Sequence, residues 1–120
     1  MVDKFILIAC GGRDYRNRDH VFSVLDSIHA HRKIDILIEG GQTGVDTISG
    51  EWADDRGVTH VTAHANWIKH GRGAGPRRNG TMLILGANGV VAIAGGIGTK
   101  NMVGQAKKAG IKVMEVAGNG

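Results

Sequence analysis

The chain has 120 residues, which is enough for one domain and leaves little room for a second. Hydrophobic residues make up 42% of it, which argues against disorder, and its one cysteine rules out an internal disulfide framework. The net charge is +4, and residues 56–114 contain nine Lys and Arg but no Asp or Glu. This half of the chain is therefore either a solvated basic face or a docking surface for an anionic ligand.

The first half of the chain alternates apolar strands with amphipathic helices. Residues 4–10 form a continuous apolar run that ends at a glycine pair, as a buried parallel strand would. Residues 19–31 carry apolar side chains at helical spacing, and Asp19 is the expected N-cap. A second strand is predicted over 34–39 and a second helix over 45–56. A third strand is predicted over 58–63, for the same reasons of periodicity.

The second half repeats this alternation after a longer connection. A glycine-rich, charged loop is predicted over about 65–76, and a short helix over 77–85. A fourth strand follows over 89–94, then a helix over 99–109 and a fifth strand over 111–116. Alternation of this kind with short connections predicts a parallel sheet with helices on both faces.

We therefore expect an α/β fold: a single Rossmann-like domain over residues 1–117 with a five-stranded parallel sheet of order 3-2-1-4-5. Residues 118–120 are expected to be a frayed tail. In such folds ligands bind beyond the carboxyl ends of the strands, at the point where the strand order reverses. Here that point lies between strands one and four.

Three glycine-rich loops each follow a strand and precede a helix. In this context glycine lets backbone amides approach a phosphate at a helix N-terminus. None matches a complete phosphate fingerprint, because Asn101 stands where the dinucleotide pattern needs its last glycine. The loops are therefore either a binding site or structural turns, and we favour binding. The glycines concerned are Gly11 and Gly12, then Gly40, Gly41 and Gly44, and finally Gly95, Gly96 and Gly98.

The order of these motifs resembles the SLOG superfamily, and most closely its small YspA-type branch (cpYpsA-related). The resemblance rests on Gly11-Gly12-Arg13-Asp14-Tyr15, on residues 39–46, on the Arg78-Asn79 pair and on residues 95–103. It covers nearly the whole chain. It implies a Rossmann-like fold and a nucleotide or nucleotide-derived ligand.

A more distant resemblance is to the lonely-guy phosphoribohydrolases, which cleave an N-glycosidic bond in cytokinin nucleotides. Their hallmark is Pro-Gly-Gly-x-Gly-Thr-x-x-Glu. In this chain Ala94 replaces the proline and Met102 the glutamate, whereas the glycines and Thr99 match. Glycosidic cleavage needs a carboxylate near the anomeric carbon, so Met102 argues against that chemistry. The DNA-processing proteins, whose SLOG-like domain binds single-stranded DNA, are another relative.

The candidate site follows from these loops. If the protein is an enzyme, the candidate catalytic carboxylates are Asp14, Glu39 and Asp46; the alternative roles are a surface salt bridge, a structural hydrogen bond and a helix cap. Tyr15 either stacks on a base or packs its own loop. Besides the glycines, the expected ligand-binding residues are Arg13, Tyr15, Arg72, Arg78, Asn79 and Thr99.

We expect no metal and no cofactor, because His60, His64 and His70 lack ligand spacing with a carboxylate or cysteine. Cys10 is interpreted as a small core residue and Trp67 as an anchor of the long loop. The function expected is a nucleotide-binding sensor, sequestering or regulatory module. The alternatives are a nucleotide N-glycosidase and a nucleic-acid-binding module. We expect a cytoplasmic homo-oligomer that does not associate with membranes.

Overall fold

The computed structural model describes residues 3–66 and 70–118. Its five strands are β1 (Ile6–Gly11), β2 (Ile36–Glu39), β3 (Thr59–Thr62), β4 (Gly89–Ile93) and β5 (Lys112–Val116). All pairs are parallel, in the order β3-β2-β1-β4-β5. The predicted fold class, strand order and direction are confirmed.

Helices connect the strands. They are α1 (Arg18–His31), α2 (Val45–Arg56), α3 (Ala74–Ile84) and α4 (Ile97–Lys108), with a short 3₁₀ turn (Gly71–Gly73) before α3. No helix among the described residues is both long and apolar enough to cross a lipid bilayer. Trp67 and residues 119–120 lie outside the described residues, so the predictions made for them stay predictions.

The predicted starts of α1 and α3 were wrong for local reasons, and α4 also begins earlier than predicted, at Ile97. The N-cap of α1 is Asn17 rather than Asp19, because the Asn17 side chain accepts a hydrogen bond from the amide of His20 (3.1 Å). Similarly, α3 begins at Ala74, three residues before the predicted position. Pro76 is tolerated there because the amides of a first turn have no acceptor within the helix.

The sheet is covered on both faces. On one face α1 and α2 bury Leu25, Trp52 and their neighbours against β1, β2 and β4. On the other face α3 and α4 contribute Met82 and Met102, which pack on Ile8 and on other apolar side chains of the sheet. This arrangement brings the carboxyl ends of β1 and β4 together with the first turns of the helices that follow them.

Candidate functional site: a crevice at the switch point

A crevice of about 850 Å³ opens beyond the carboxyl ends of β1 and β4. The loop after β1, the loop after β4 and the first turns of α3 and α4 form its walls. Many of the predicted ligand-binding residues line it. They are Gly11, Gly12, Arg13, Tyr15, Arg72, Arg78, Asn79, Gly95, Gly96, Gly98 and Thr99.

The first turn of α4 presents backbone amides to the crevice. The helix begins at Ile97, and its N-cap is Gly96. The sequence analysis placed the start of this helix at Thr99, but Thr99 lies within the first turn and does not cap the helix. The first amides of a helix have no acceptor within the helix and carry the positive end of its dipole. A Cβ atom on Gly96 or Gly98 would meet open space, so protein atoms do not fill the volume beside these two crevice-lining residues.

Arg78 reaches the crevice from α3 and is held there by two hydrogen bonds. Its Nη1 donates to the carbonyl oxygen of Gly40, and its Nε donates to Oδ1 of Asn79 (2.9 Å). The buried Asn79 amide in turn donates to Oδ1 of Asn101 (3.0 Å) and to the carbonyl oxygen of Gly98 (3.3 Å). Arg78 is thus tied to the loop after β2 and, through Asn79, to the first turn of α4.

The glycines of the second loop do not line the crevice. A Cβ on Gly40 would overlap the Arg78 guanidinium, and one on Gly44 would overlap the carbonyl oxygen of Gly12. Gly41 and Gly44 also have positive φ angles, 75° and 76°, which favour glycine. Of the two roles considered for these loops, a binding site or structural turns, the geometry here matches structural turns. Gly40, Gly41 and Gly44 permit close packing of the loop after β2.

The first loop combines close packing with exposure to the crevice. A Cβ on Gly12 would lie 2.5 Å from the carbonyl oxygen of Ala94, so glycine is needed for the two walls to meet. The Tyr15 ring packs on the core and contacts His20 edge-to-face, with a hydrogen bond of 2.5 Å between Tyr15 Oη and His20 Nδ1. Tyr15 therefore packs its loop and also lines the crevice.

Asp46 is a buried carboxylate of the crevice, at the start of α2. It is 5% exposed, and Oδ2 accepts a hydrogen bond from the amide of Gln42 (3.2 Å). Burial is the largest cause that raises the pKa of Asp46, and the Glu39 carboxylate adds to it; against the lowering effect of the Gln42 amide and the Arg78 charge, the pKa reaches about 6. A carboxyl group that titrates near neutral pH inside a cleft is typical of functional sites.

Glu39, the second carboxylate proposed from the sequence, lies outside the crevice lining. It is buried, and its oxygens accept hydrogen bonds from His60 Nε2 (2.7 Å), the Gly41 amide (2.6 Å) and the Thr62 hydroxyl. His60 also contacts Asp54 through Nδ1 (3.2 Å). Burial opposes protonation of His60, but the hydrogen bonds to Glu39 and Asp54 outweigh it and raise the pKa of His60 above its usual value.

Asp14 lies on the exposed rim of the crevice with Arg13 and Arg72. Cys10 lines the floor, and its thiol donates to the carbonyl oxygen of Val91 (3.6 Å). Burial, reinforced by the Asp46 carboxylate, raises the pKa of Cys10 to about 12, so the thiol stays protonated and is a poor nucleophile.

The position of the lonely-guy glutamate is occupied by a core residue. Met102 is 1% exposed and packs in the apolar layer between α4 and the sheet. It is not part of the crevice lining.

Sequence reasoning did not select several residues of the crevice. Gln42 and Asn101 stand in the motifs that were recognised, but side-chain amides carry no signal of their own in a single sequence. Ile97 is 91% exposed in the first turn of α4, and its position one residue after Gly96 is the sequence signal that could have identified it. The others are Gly75, Pro76, Met82 and Ala94.

The fold and this crevice define a Rossmann-like α/β protein with a ligand-sized site at the topological switch point. A family model described as the YspA, cpYpsA-related SLOG family matches residues 5–70. Gene 61 protein of Mycobacterium phage D29 is 32% identical over 116 residues, which cover 90% of this chain and 93% of that protein. The chain therefore belongs to the YspA, cpYpsA-related SLOG family.

A solved structure supports the fold independently. The X-ray structure of DNA processing protein A (DprA) from Streptococcus pneumoniae matches 96% of this chain with a TM-score of 0.77 and 15% sequence identity. The chain spans about half the length of that protein, 51%. At this identity the match establishes the shared architecture, which agrees with the SLOG assignment.

Proposed function

We propose that the crevice binds a nucleotide or a nucleotide-derived phosphate ligand, and that the protein acts as a sensor, sequestering or regulatory module. One observation carries the proposal: the first turn of α4 and Arg78 line the same crevice at the switch point. Helix N-termini and arginine are the groups that proteins use most for phosphate. SLOG membership and the DprA-like fold point to a role connected with nucleotides or nucleic acids.

The rest of the crevice suits the other parts of a nucleotide. Tyr15 and Ile97 offer an aromatic and an aliphatic surface for a base, and Asp46 and Gln42 offer polar groups for ribose hydroxyls. The volume of about 850 Å³ lies in the range of pockets that enclose small-molecule ligands.

Calorimetry with a panel of nucleotides and ADP-ribose derivatives tests this proposal. Gly96→Val should abolish binding and leave the fold intact, because its side chain would occupy space at the amides without touching protein atoms. Gly104→Val is the matched control, since Gly104 also has open space, is exposed on the same helix and lies outside the crevice lining.

Arg78→Ala should weaken binding by about 1.5–3 kcal/mol, the range for a hydrogen bond to a charged group. The adjacent exposed Arg77 lies outside the crevice lining, so Arg77→Ala should leave the affinity unchanged. A ligand that binds the wild type, Gly96→Val and Arg78→Ala equally well would place the site elsewhere. A panel without any binder would refute the proposal.

Asp46 supports a second candidate function, hydrolysis of a nucleotide N-glycosidic bond. In this reaction water adds to the anomeric carbon while the bond to the base breaks; the carboxylate accepts a proton from the water, and the departing base, which takes the electron pair of the broken bond, takes up a proton from solvent. Asp46 is buried in the crevice with a pKa of about 6, as a general base requires. Met102 argues against the lonely-guy version of this chemistry, so we expect little or no release of base from adenosine monophosphate.

Chromatographic measurement of free base separates the two candidate functions. Release at an ordinary enzymatic rate that is lost in Asp46→Asn would establish the hydrolase. The same measurement on Asp14→Asn decides whether the rim carboxylate takes part.

A further inference from the structure

The face of the sheet that carries α1 and α2 has a second concavity, a groove of about 820 Å³ between α1 and strands β4 and β5. It is separate from the crevice: no residue lines both. The five strands span about 20–25 Å at their usual spacing, and two packed helices cover most but not all of that width. Because α2 packs on β1, β2 and β3 and α1 packs beside α2, the uncovered part is the side of β4 and β5.

The α1 wall of the groove has the pattern of a helix-packing surface. Val21 and Leu25 are the residues that α1 buries against the sheet. A second stripe faces the groove instead, with Ser23 and Ser27 one turn apart and Val24 and Ile28 beside them. Small residues spaced four apart allow another helix to approach closely, and the branched neighbours supply apolar contact.

The floor of the groove is formed by the sheet and is also apolar. Met114 and the partly exposed Val116 of β5 line it above the buried Leu7 and Val91. Met114 on the edge strand β5 is 51% exposed, which is unusual for a large apolar side chain on a sheet face. An apolar floor beside an unpartnered helix stripe is the arrangement that receives an amphipathic helix.

The charge of the groove indicates the kind of helix. Arg32 lies over the Phe5 ring, with its guanidinium carbon 4.4 Å from the ring centroid, and Lys112 pairs with Gly89 at the same end of the sheet. Both cations line the groove, whereas the described residues that line it include no Asp or Glu. A second copy of this chain would bring the same cations against these two, so like-charge repulsion disfavours self-association through this face.

We propose that this groove binds an amphipathic α-helix of a partner protein, with the apolar stripe of that helix against α1 and β5 and its acidic side chains beside Arg32 and Lys112. The partner helix would lie on the sheet next to α1, in the position where the described residues of the chain form no helix. Among the described residues, the ligand crevice and this groove share no lining residue, so one protein could carry a ligand and a partner at once.

A synthetic peptide of about 18 residues, five helical turns, is the probe. It carries leucine at positions i, i+3, i+4 and i+7 and glutamate on both flanks of this stripe. A matched peptide has lysine in place of every glutamate. Amide chemical shifts of the full chain, followed by NMR during titration, should move at the groove residues with the glutamate peptide, and roughly tenfold less peptide should be needed than with the lysine peptide.

Variants distinguish specific binding of the peptide in the groove from nonspecific binding elsewhere on the surface. Arg32→Glu combined with Lys112→Glu should reverse the preference between the two peptides, and Lys108→Glu, on an exposed lysine outside the groove lining, should not. Ser27→Phe should block the approach of the helix, whereas Ala30→Phe, exposed on the same helix but outside the groove, should not.

Equal affinity for both peptides, shifts confined to other surfaces, or no binding would overturn the proposal. Concentration-dependent dimerisation of the peptide-free chain that Ser27→Phe abolishes and Ala30→Phe leaves intact would also overturn it, in favour of a second copy as the occupant. None of these outcomes depends on whether the crevice binds a nucleotide.

Discussion

The Arg78 guanidinium donates a hydrogen bond to the carbonyl oxygen of Gly40 and thereby joins α3 to the loop after β2. Two segments that are distant in the sequence meet here at the edge of the crevice. The contact leaves no room for a Cβ atom on Gly40, and the Asp46 carboxylate would lie 3.0 Å from that atom. The position of Arg78 at the crevice therefore depends on Gly40, a residue without a side chain.

Gly40→Ala should destabilise the protein by about 1–3 kcal/mol, the usual result of forcing an extra methyl group into a packed site. Gly104→Ala is the opposite case, since its Cβ has open space in the middle of α4, and it should stabilise by about 0.5–1 kcal/mol. Urea denaturation of both variants measures the two changes. A neutral Gly40→Ala would mean that Arg78 moves aside without loss.

Asp46→Asn should stabilise the protein at neutral pH. The folded-state pKa of about 6 lies above the usual 3.8, so the folded state binds more protons and loses stability as the pH rises from about 4 to 6. The full difference between the two pKa values corresponds to a loss of about 3 kcal/mol at most in the free energy of unfolding. Asparagine keeps an acceptor for the Gln42 amide and removes the charge that burial penalises.

Denaturation curves at several pH values check this expectation. The difference between Asp46→Asn and the wild type should be present above about pH 6 and vanish near pH 4. Asp14→Asn, on the exposed rim, should stay within about 0.5 kcal/mol of the wild type throughout. Loss of stability in Asp46→Asn at pH 7 would mean that the charged carboxylate holds the site together.

His60 should produce a second pH dependence of the free energy of unfolding, at higher pH than that of Asp46. Because its folded-state pKa is raised above about 6.5, protonated His60 stabilises the fold below that pH, and the contribution is lost as the pH rises through the folded-state pKa. His60→Gln should remove this decrease of stability with rising pH. His64→Gln, on an exposed loop histidine, should retain it. Identical slopes in the wild type and His60→Gln would contradict the expectation.

Binding to single-stranded DNA should be weak and should fall steeply with salt. Arg13, Arg72 and Arg78 line the crevice, and each phosphate neutralised on a single strand contributes about −0.7 to the slope of log affinity against log salt. Fluorescence anisotropy with a labelled oligonucleotide measures this slope, which Arg78→Ala should reduce by about 0.7. Tight, sequence-selective binding that survives physiological salt would favour a nucleic-acid-binding module instead.

Much of the fold was predictable because its signals are local. The apolar runs at β1 and β4, the glycines that follow them and the helical spacing of Val21 and Leu25 each lie within a few residues of one another. The right-handed connection of parallel strands then leaves few strand orders, and the expected one is confirmed. Helix starts were less predictable, because Asn17 and Asp19 are both preferred N-cap types and only the hydrogen bond from the His20 amide to Asn17 distinguishes them.

The sequence by itself determined the strand order, the family and the switch point at which the glycine loops meet. Only the tertiary structure decided which residues of these loops face the crevice. Gly96 and Gly98 face it, whereas Gly40 and Gly44 serve close packing, although all four are glycines after a strand. The physical reason is that burial and contact depend on residues from distant segments: Asp46 acquires its raised pKa from the atoms that pack around it, and Arg78 takes its place from a carbonyl oxygen 38 residues away.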